Sequence, residues 1–459
     1  MIKINKKDKF MKAFKAYDIR GVFGKDLTPE NVYRIGYFLP SVLPSKEILI
    51  GRDIRLSSDT MFEALANGIT DAGVDVADIG LSTTPMVYWG TGHYNFDSSV
   101  MITASHNPKD HNGLKISAKN VLPVGFDTGL NRLEKLVESD EPVVVKEKGK
   151  IRKLDIKADY LNFLNSYKED YSELNISIDF SNGMASLFKD DLFGNNYHAV
   201  NEMADGTFPG HEPNPLEPEN QKDIKSAVEK NGSDIGVIFD GDADRVMFID
   251  EKGKFISPDL VIALFGHYFL EGNSKKEKVV HDIRTSKAVG EYLKQFNAEV
   301  VIWRVGRAYG ATKLREVNGI YGGELAGHYY FRDFYYSDSG LMASLIMLDI
   351  LNRFKKEGKT LSELIHSISH YANTGEINFV ISRKEEAMKA VVDHFNNQNP
   401  TAYFDFDGYR LEFPEWWFNI RPSNTEPYLR FLAEAESQPL LDEKTQEIFK
   451  ILEPFIDKK

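Results

Sequence analysis

The sequence contains no cysteine. That absence excludes thiolate nucleophiles, thiolate zinc sites, iron–sulfur clusters and disulfides, and leaves the chemistry to oxygen, nitrogen and bound cofactors. Long apolar runs are missing as well. The stretch LVIALFGHYFL is too short to span a bilayer and is interrupted by His267. The N-terminal MIKINKKDKF carries lysines without an apolar segment, so neither a signal peptide nor a membrane anchor is expected, and the chain reads as cytoplasmic. An excess of positive charge is lacking too. With 69 acids against 56 bases the formal net charge is −13, which argues against a nucleic-acid partner held by phosphate neutralisation. A small anionic substrate is not excluded, because a cleft can be locally basic within an acidic whole.

What is present is an ordinary globular composition, 42% apolar and 27% charged, on a chain of 459 residues. That length is too great for one core and predicts roughly two to four domains. One order of elements recurs. KEILIGRD, MFEALANGITDAG, VDVADIG and SSVMITASHNP read as strand, helix, strand and strand. The order returns in NISIDFSNG, MASLFKDDLF, YHAVNEM and SDIGVIFDGDADR, and again in EKVVHDIR, SKAVGEYLKQF, AEVVIWRVG and NGIYGGELAGH. Each copy ends in a polar or glycine-rich loop, and in α/β sheets ligands gather at such strand ends. The three loops are therefore expected to face one cleft. Beyond about residue 367, GEINFVIS, RKEEAMKAVVDHFNN, YFDFDGYRLEF and WWFNIRPSNTEPYLRFLAEAE suggest an antiparallel α+β unit. The expected architecture is α/β, with three similar α/β domains of mixed sheets (1–150, 151–252 and 253–366) and a smaller C-terminal α+β domain (367–459) around a central cleft.

Four loops carry the candidate chemistry. In IFDGDADR, Asp240, Asp242 and Asp244 alternate with small residues after an apolar run, a set of hard oxygen ligands suited to Mg²⁺ or Mn²⁺. Arg245 follows, placed to clamp a phosphate. The spacing overlaps a calcium EF-hand through Glu251, but Arg245 stands where that loop needs glycine. A haloacid-dehalogenase-type phosphotransferase is a second rival. A plain acidic turn is disfavoured, because each close carboxylate pair repels by roughly 1–4 kcal/mol at surface-like dielectric. In MITASHNP, Ser105 is either a nucleophile at a strand tip or part of a turn stopped by Asn107 and Pro108. In YGGELAGHYYF, Glu324 and His328 sit on a glycine scaffold that fits vicinal sugar hydroxyls, or are structural. In RPSNTEPYLR, Arg421, Ser423, Asn424, Thr425 and Arg430 form either an anion nest or a hairpin turn.

Taken in order, TASHNP, DGDADR, GGELAGH and RPSNTEP, with YDIRG and GRDIRLSS before them, resemble the phosphoserine-dependent phosphohexomutases, the family of phosphomannomutase and phosphoglucomutase. The likeness runs over essentially the whole chain and is greatest to the bacterial members. It implies that Ser105 carries a phosphoryl group and passes it to one end of a hexose phosphate. Ser105 would recover a phosphoryl group from the other end once a hexose 1,6-bisphosphate intermediate, also the activator, has turned around. It implies Mg²⁺ held by Asp240, Asp242, Asp244 and the Ser105 phosphate. Lys115 would be the general acid/base, supported by Arg20, His106 and Arg245. Glu324 would grip two ring hydroxyls, with Tyr17, Arg284, Arg307, His328 and Arg430 as further substrate contacts. Arg421, Ser423, Asn424 and Thr425 would anchor the phosphate that is not transferred. The chain departs from many relatives at Ala326, where serine is frequent, at Arg307, where histidine is frequent, and at Arg284, where lysine is frequent. These changes leave the reaction class firmer than the sugar. The expected partners are small-molecule sugar phosphates, mannose phosphate first and glucose phosphate second, acting on a monomer or weak homo-oligomer. A phosphoglucosamine mutase, a phosphatase and a non-catalytic sugar-phosphate-binding relative are the alternatives.

Overall fold

The three repeats fold as three versions of one sheet. The computed structural model describes residues 13–194, 196–423 and 428–457. In the first domain the strands Asp75–Leu81, Glu47–Arg52 and Ser98–Ile102 run parallel in that spatial order, and His111–Ala118 returns antiparallel beside the third. The second domain repeats the arrangement with His198–Val200, Ile176–Asp179, Ile235–Phe239 and the returning Val246–Asp250. The third repeats it with Glu299–Trp303, Lys278–Asp282, Tyr321–Gly323 and the returning Tyr329–Phe331. Ser105, the aspartate trio and Glu324 therefore all sit in the same hairpin loop of their respective sheets.

The order strand, helix, strand, strand is corrected by this topology. A second helix precedes the third parallel strand in every copy: Thr84–His93, Lys222–Asn231 and Arg307–Glu316. Two parallel strands cannot be joined by a tight turn and need a crossover. The first of these helices escapes pattern reading because it is buried from Thr84 through Thr91 and so has no polar stripe. The helix Gly340–Lys356 is buried along most of its length. Its start is locked onto the aspartate loop, where Gly340 N donates to the Ala243 carbonyl at 3.1 Å. A Cβ at Gly340 would lie 2.7 Å from the Arg245 carbonyl, so only glycine allows this approach.

The C-terminal domain is a six-stranded sheet whose paired strands are all antiparallel, covered by Lys384–Asn396 and Gln438–Leu452. Its core, built on Trp416, Phe418, Phe431 and Phe395, is separate from the core that runs continuously from Trp89 through Phe239 to Leu345 in the other domains. Polar contacts join it to the third domain. Arg410 stacks on Trp417 and donates from Nη1 to the carbonyls of Ile283 at 2.9 Å and Thr285 at 2.6 Å.

Beside that contact Glu434 is buried, accepting from Ser286 Oγ at 2.7 Å, Trp417 Nε1 at 2.8 Å and Asn373 Nδ2 at 2.7 Å. Burial, followed by repulsion from Asp259, pushes its carboxyl up to about 7. A carboxyl raised above its unfolded value stabilises the fold fully below about pH 4.5 and loses that contribution as pH rises to about 7. The melting-temperature advantage of wild type over Glu434→Gln should therefore be larger at pH 5 than at pH 8. An advantage equal at both values would show that Glu434 is ionised throughout.

Candidate functional site

Ser105 follows the apolar strand Ser98–Ile102 three residues beyond its last ladder position, in a left-handed backbone conformation with φ of 52°. That conformation costs a non-glycine residue about 1–2 kcal/mol, so the surrounding contacts must impose it. Arg55 supplies four of them. Its guanidinium is fully buried and donates to the carbonyls of Ser105 at 2.8 Å, Asn107 at 2.7 Å, Pro108 at 2.7 Å and His111 at 3.1 Å. Asp53 orients Arg55 through Nε at 3.1 Å. So held, Ser105 Oγ donates to Asp240 Oδ2 across the domain boundary at 2.7 Å. The two loops touch closely enough that a Cβ on Gly241 would lie 2.6 Å from the Ser105 carbonyl.

The three aspartates are completely buried, and one oxygen from each lies within 4.8 Å of the others. Lys115, on the returning strand of the first domain, partly neutralises them. Its Nζ lies 2.6 Å from Asp242 Oδ2 and also binds Asp244 Oδ2. Burial alone would lower the Lys115 pKa, but Asp242 and Asp244 outweigh it and hold the ammonium. Burial and the neighbouring Asp244 and Asp242 push Asp240 well above the usual carboxylate range. For Asp244 burial acts upward, yet Lys115 and His328 prevail and the net shift is downward. Among the described residues, Asp242 Oδ1 and Asp244 Oδ1 are buried with no hydrogen-bond partner. Two orphaned carboxylate oxygens beside a third carboxylate are the donor set a small divalent cation requires, so the residues fit Mg²⁺.

His106 and the arginines frame this centre. The imidazole Nδ1 lies 3.3 Å from Ser105 Oγ. Burial first, then Arg245, Arg20 and Lys115, hold its pKa well below the ordinary value, so its support is a neutral hydrogen bond and not a charge. Arg20 donates from Nη1 to Asn107 Oδ1 at 2.6 Å and pairs with Asp18. Arg245 places Nε 3.9 Å from both Asp240 and Asp244. Its backbone bridges to His328, which brings the sugar-type loop of the third domain against the aspartates.

His328 Nδ1 lies 2.6 Å from Asp338 Oδ2, and Asp338 Oδ1 accepts from Arg307 Nε at 2.9 Å. Arg307 also stacks on Tyr88 of the first domain at 4.0 Å. Glu324 is buried, accepting from the Tyr330 hydroxyl and from Gly306 N at 3.2 Å. Ala326 stands at the partly exposed tip of that loop. Tyr17 donates from its hydroxyl to the Val305 carbonyl at 3.3 Å.

A third group gathers where the last two domains meet. Arg284 is held bidentate by Asp282, with Nη2 to Oδ2 at 2.8 Å and Nε to Oδ1 at 3.1 Å. Its Nη1 lies 3.6 Å from Glu376, which also pairs with Arg430 at 2.9 Å. Arg421 is buried and donates from Nη2 to Asp407 at 3.3 Å. Ser423 N donates to the Tyr428 carbonyl at 2.9 Å. Asn424 and Thr425 lie outside the described residues. Sequence reasoning missed Arg55, Asp338, Tyr330 and Asp407. The one available signal was the charged GRDIRLSS following a buried strand.

Comparison with known proteins gives a consistent result. The phosphoglucomutase/phosphomannomutase family matches in four consecutive segments: its alpha/beta/alpha domain I over residues 11–143, domain II over 158–253, domain III over 257–371 and its C-terminal domain over 376–451. The phosphomannomutase of Escherichia coli strain K12 is 36% identical over 458 residues, covering 97% of this chain and 99% of its own. A phosphomannomutase of Vibrio cholerae is 35% identical, with 97% and 99% covered. The crystal structure of a phosphoglucomutase/phosphomannomutase family protein from Burkholderia thailandensis superposes with a TM-score of 0.86 at 27% identity, covering 97% of this chain and 98% of the other. The chain belongs to the phosphoglucomutase/phosphomannomutase family.

Proposed function

We propose that the protein is a phosphohexomutase that interconverts hexose 6-phosphate and hexose 1-phosphate, with mannose phosphate as the first substrate and glucose phosphate as the second. The observation that carries the reading is the meeting of two equivalent hairpin loops, which sets Ser105 Oγ 2.7 Å from Asp240 amid three buried carboxylates, with Lys115 bridging two of them. Phosphomannomutase is the name of several relatives that match over nearly their whole length.

In the resting enzyme Ser105 carries a phosphoryl group of about −2 charge. Asp240, Asp242 and Asp244, together with that group, would hold Mg²⁺, which when bound would neutralise charge on the phosphoryl oxygens. In the first half-reaction the bond between phosphorus and Ser105 Oγ breaks. A new bond forms from phosphorus to a sugar hydroxyl oxygen, and the hydroxyl proton passes to an oxygen of the transferred phosphoryl group. Lys115, held as an ammonium, is the acid for Ser105 Oγ as it leaves. In the reverse half-reaction its neutral amine receives the proton that Ser105 gives up, so one residue serves both directions. Arg20 and Arg245 balance the remaining negative charge. Glu324 grips ring hydroxyls while Arg421, Ser423, Asn424 and Thr425 anchor the resting phosphate, so the sugar can turn without losing its hold.

Intact-mass measurement tests the reading. Protein incubated with a hexose 1,6-bisphosphate should gain one phosphoryl group and then convert mannose 1-phosphate to mannose 6-phosphate without releasing inorganic phosphate. Stoichiometric phosphate release would make it a phosphatase, and no phosphoryl gain would sink the mutase reading. Glucose and glucosamine 1-phosphates run in parallel settle the order of substrates.

A further inference from the structure

Between the phosphate anchor and the sugar loop stands a residue that neither motif contains. Asp407 occupies the turn between the strands Ala402–Phe404 and Tyr409–Glu412, with φ of 58° and a side chain only 5% exposed. Its two oxygens serve different domains. Oδ2 accepts the Val305 backbone N–H of the third domain at 2.7 Å, and Oδ1 accepts from Arg421 Nη2 of the C-terminal domain at 3.3 Å. Among its other bonds, the Val305–Gly306 segment donates from Gly306 N to Glu324 Oε2 at 3.2 Å and accepts from the Tyr17 hydroxyl at the Val305 carbonyl at 3.3 Å. There is no slack in this junction. A Cβ at Gly306 would lie 2.8 Å from the Tyr17 ring, and one at Gly408 would lie 2.5 Å from Arg421 Cβ. One carboxylate and one dipeptide thus join Tyr17, Glu324 and Arg421 from three domains.

We propose that Asp407 is a positioning residue that fixes the spacing between the phosphate anchor at Arg421 and the hydroxyl grip at Glu324, so that a hexose phosphate is held at both ends at once. This rests on the mutase reading above. Arg421 has capacity for both partners: among the described residues its Nε is buried without a hydrogen bond, so Asp407 occupies only part of the guanidinium. A ligand with two handles gains from having both sites pre-placed, because the second contact then costs little further freedom. A ligand with one handle, inorganic phosphate, gains nothing from the spacing. It competes with Asp407 for Arg421.

Asp407→Asn isolates the effect. Asparagine tolerates the left-handed turn conformation, and its carbonyl still accepts from Val305, while its amide hydrogens oppose Arg421. Calorimetric titration of the full-length variant should show hexose 6-phosphate weakened about tenfold or more, while inorganic phosphate binds as in wild type or more tightly. Arg421→Ala serves as the reference for phosphate bound elsewhere. In steady-state assays KM should rise by a similar factor with kcat changed less than about threefold. Hexose phosphate binding that does not move overturns the proposal, as does parallel weakening of both ligands, the pattern of a merely structural role. Asp407→Ala, which cuts both arms, should weaken hexose phosphate at least as much. A wild-type protein that turns over no hexose phosphate would defeat the mutase reading instead, and the two binding constants would remain measurable.

Discussion

Ser105→Ala should lose roughly 10⁴-fold or more in mutase turnover while remaining folded, because no other hydroxyl is presented to the aspartate trio by the same strand end. The substitution removes one atom and leaves the scaffold of its loop intact. Arg55 binds the Ser105 carbonyl and three more beyond it, none of which depends on the side chain. Asp240 Oδ2 loses its Ser105 donor while Oδ1 keeps the Arg245 N–H at 3.2 Å, and an unsatisfied buried acceptor atom costs about 1–3 kcal/mol. Asp240 is already raised well above the usual carboxylate range by burial and by Asp244 and Asp242, so part of that cost is met by protonation. A melting temperature lowered by only a few degrees, with no phosphoryl gain on incubation with bisphosphate, is the expected pair of results. Phosphoryl transfer at an undiminished rate would move the nucleophile elsewhere.

The nucleophile and the first aspartate were legible in the sequence for one reason: each is a polar group placed at the end of an apolar run. Ser105 after VMITA and Asp240 after GVIF announce themselves because burial ends where function begins. Their threefold recurrence at the same step of the repeat made a shared site readable before any contact was known. The family resemblance then supplied the order of the four motifs. Glu324, by contrast, was ambiguous as a lone carboxylate among aromatics. Only the hydrogen bond from Gly306 and its place in the equivalent hairpin join it to the same arrangement.

What stayed hidden acts through the backbone or across long separations. Arg55 binds four carbonyls, and carbonyls leave no signature in a sequence. Asp338 orients His328 and Arg307, yet it stands in a short strand where it reads as an ordinary polar residue. Two of the three crossover helices leave no clear pattern, because helix Thr84–His93 is buried from Thr84 through Thr91 and Arg307–Glu316 has only three buried residues. The charge state of His106 was equally out of reach. It follows first from burial and then from Arg245, Arg20 and Lys115, which come from three separate segments of the chain.

Asp242→Asn separates stability from chemistry at the aspartate loop. In the native site Asp242 Oδ2 accepts from Lys115 Nζ at 2.6 Å and from Thr84 Oγ1 at 2.5 Å, while its Oδ1 has no partner among the described residues. An asparagine carbonyl keeps the Thr84 bond, and Lys115 retains Asp244. The lost ion pair is offset by relief of repulsion among three buried carboxylates, so the melting temperature without metal should stay within a few degrees of wild type. Metal binding should suffer heavily, since the cluster falls from three anionic ligands to two and the orphaned oxygen is gone. Saturating Mg²⁺ at a hundred times its dissociation constant would stabilise wild type by about 2.7 kcal/mol, and that gain should vanish in the variant. Turnover should fall about a hundredfold or more. Wild-type turnover, or a Mg²⁺-dependent rise in melting temperature equal to that of wild type, would show that Asp242 only packs the loop. A fold that collapses without metal would show instead that Asp242 is held for its bonds to Lys115 and Thr84. The two readouts thus assign the residue to the cation or to the scaffold.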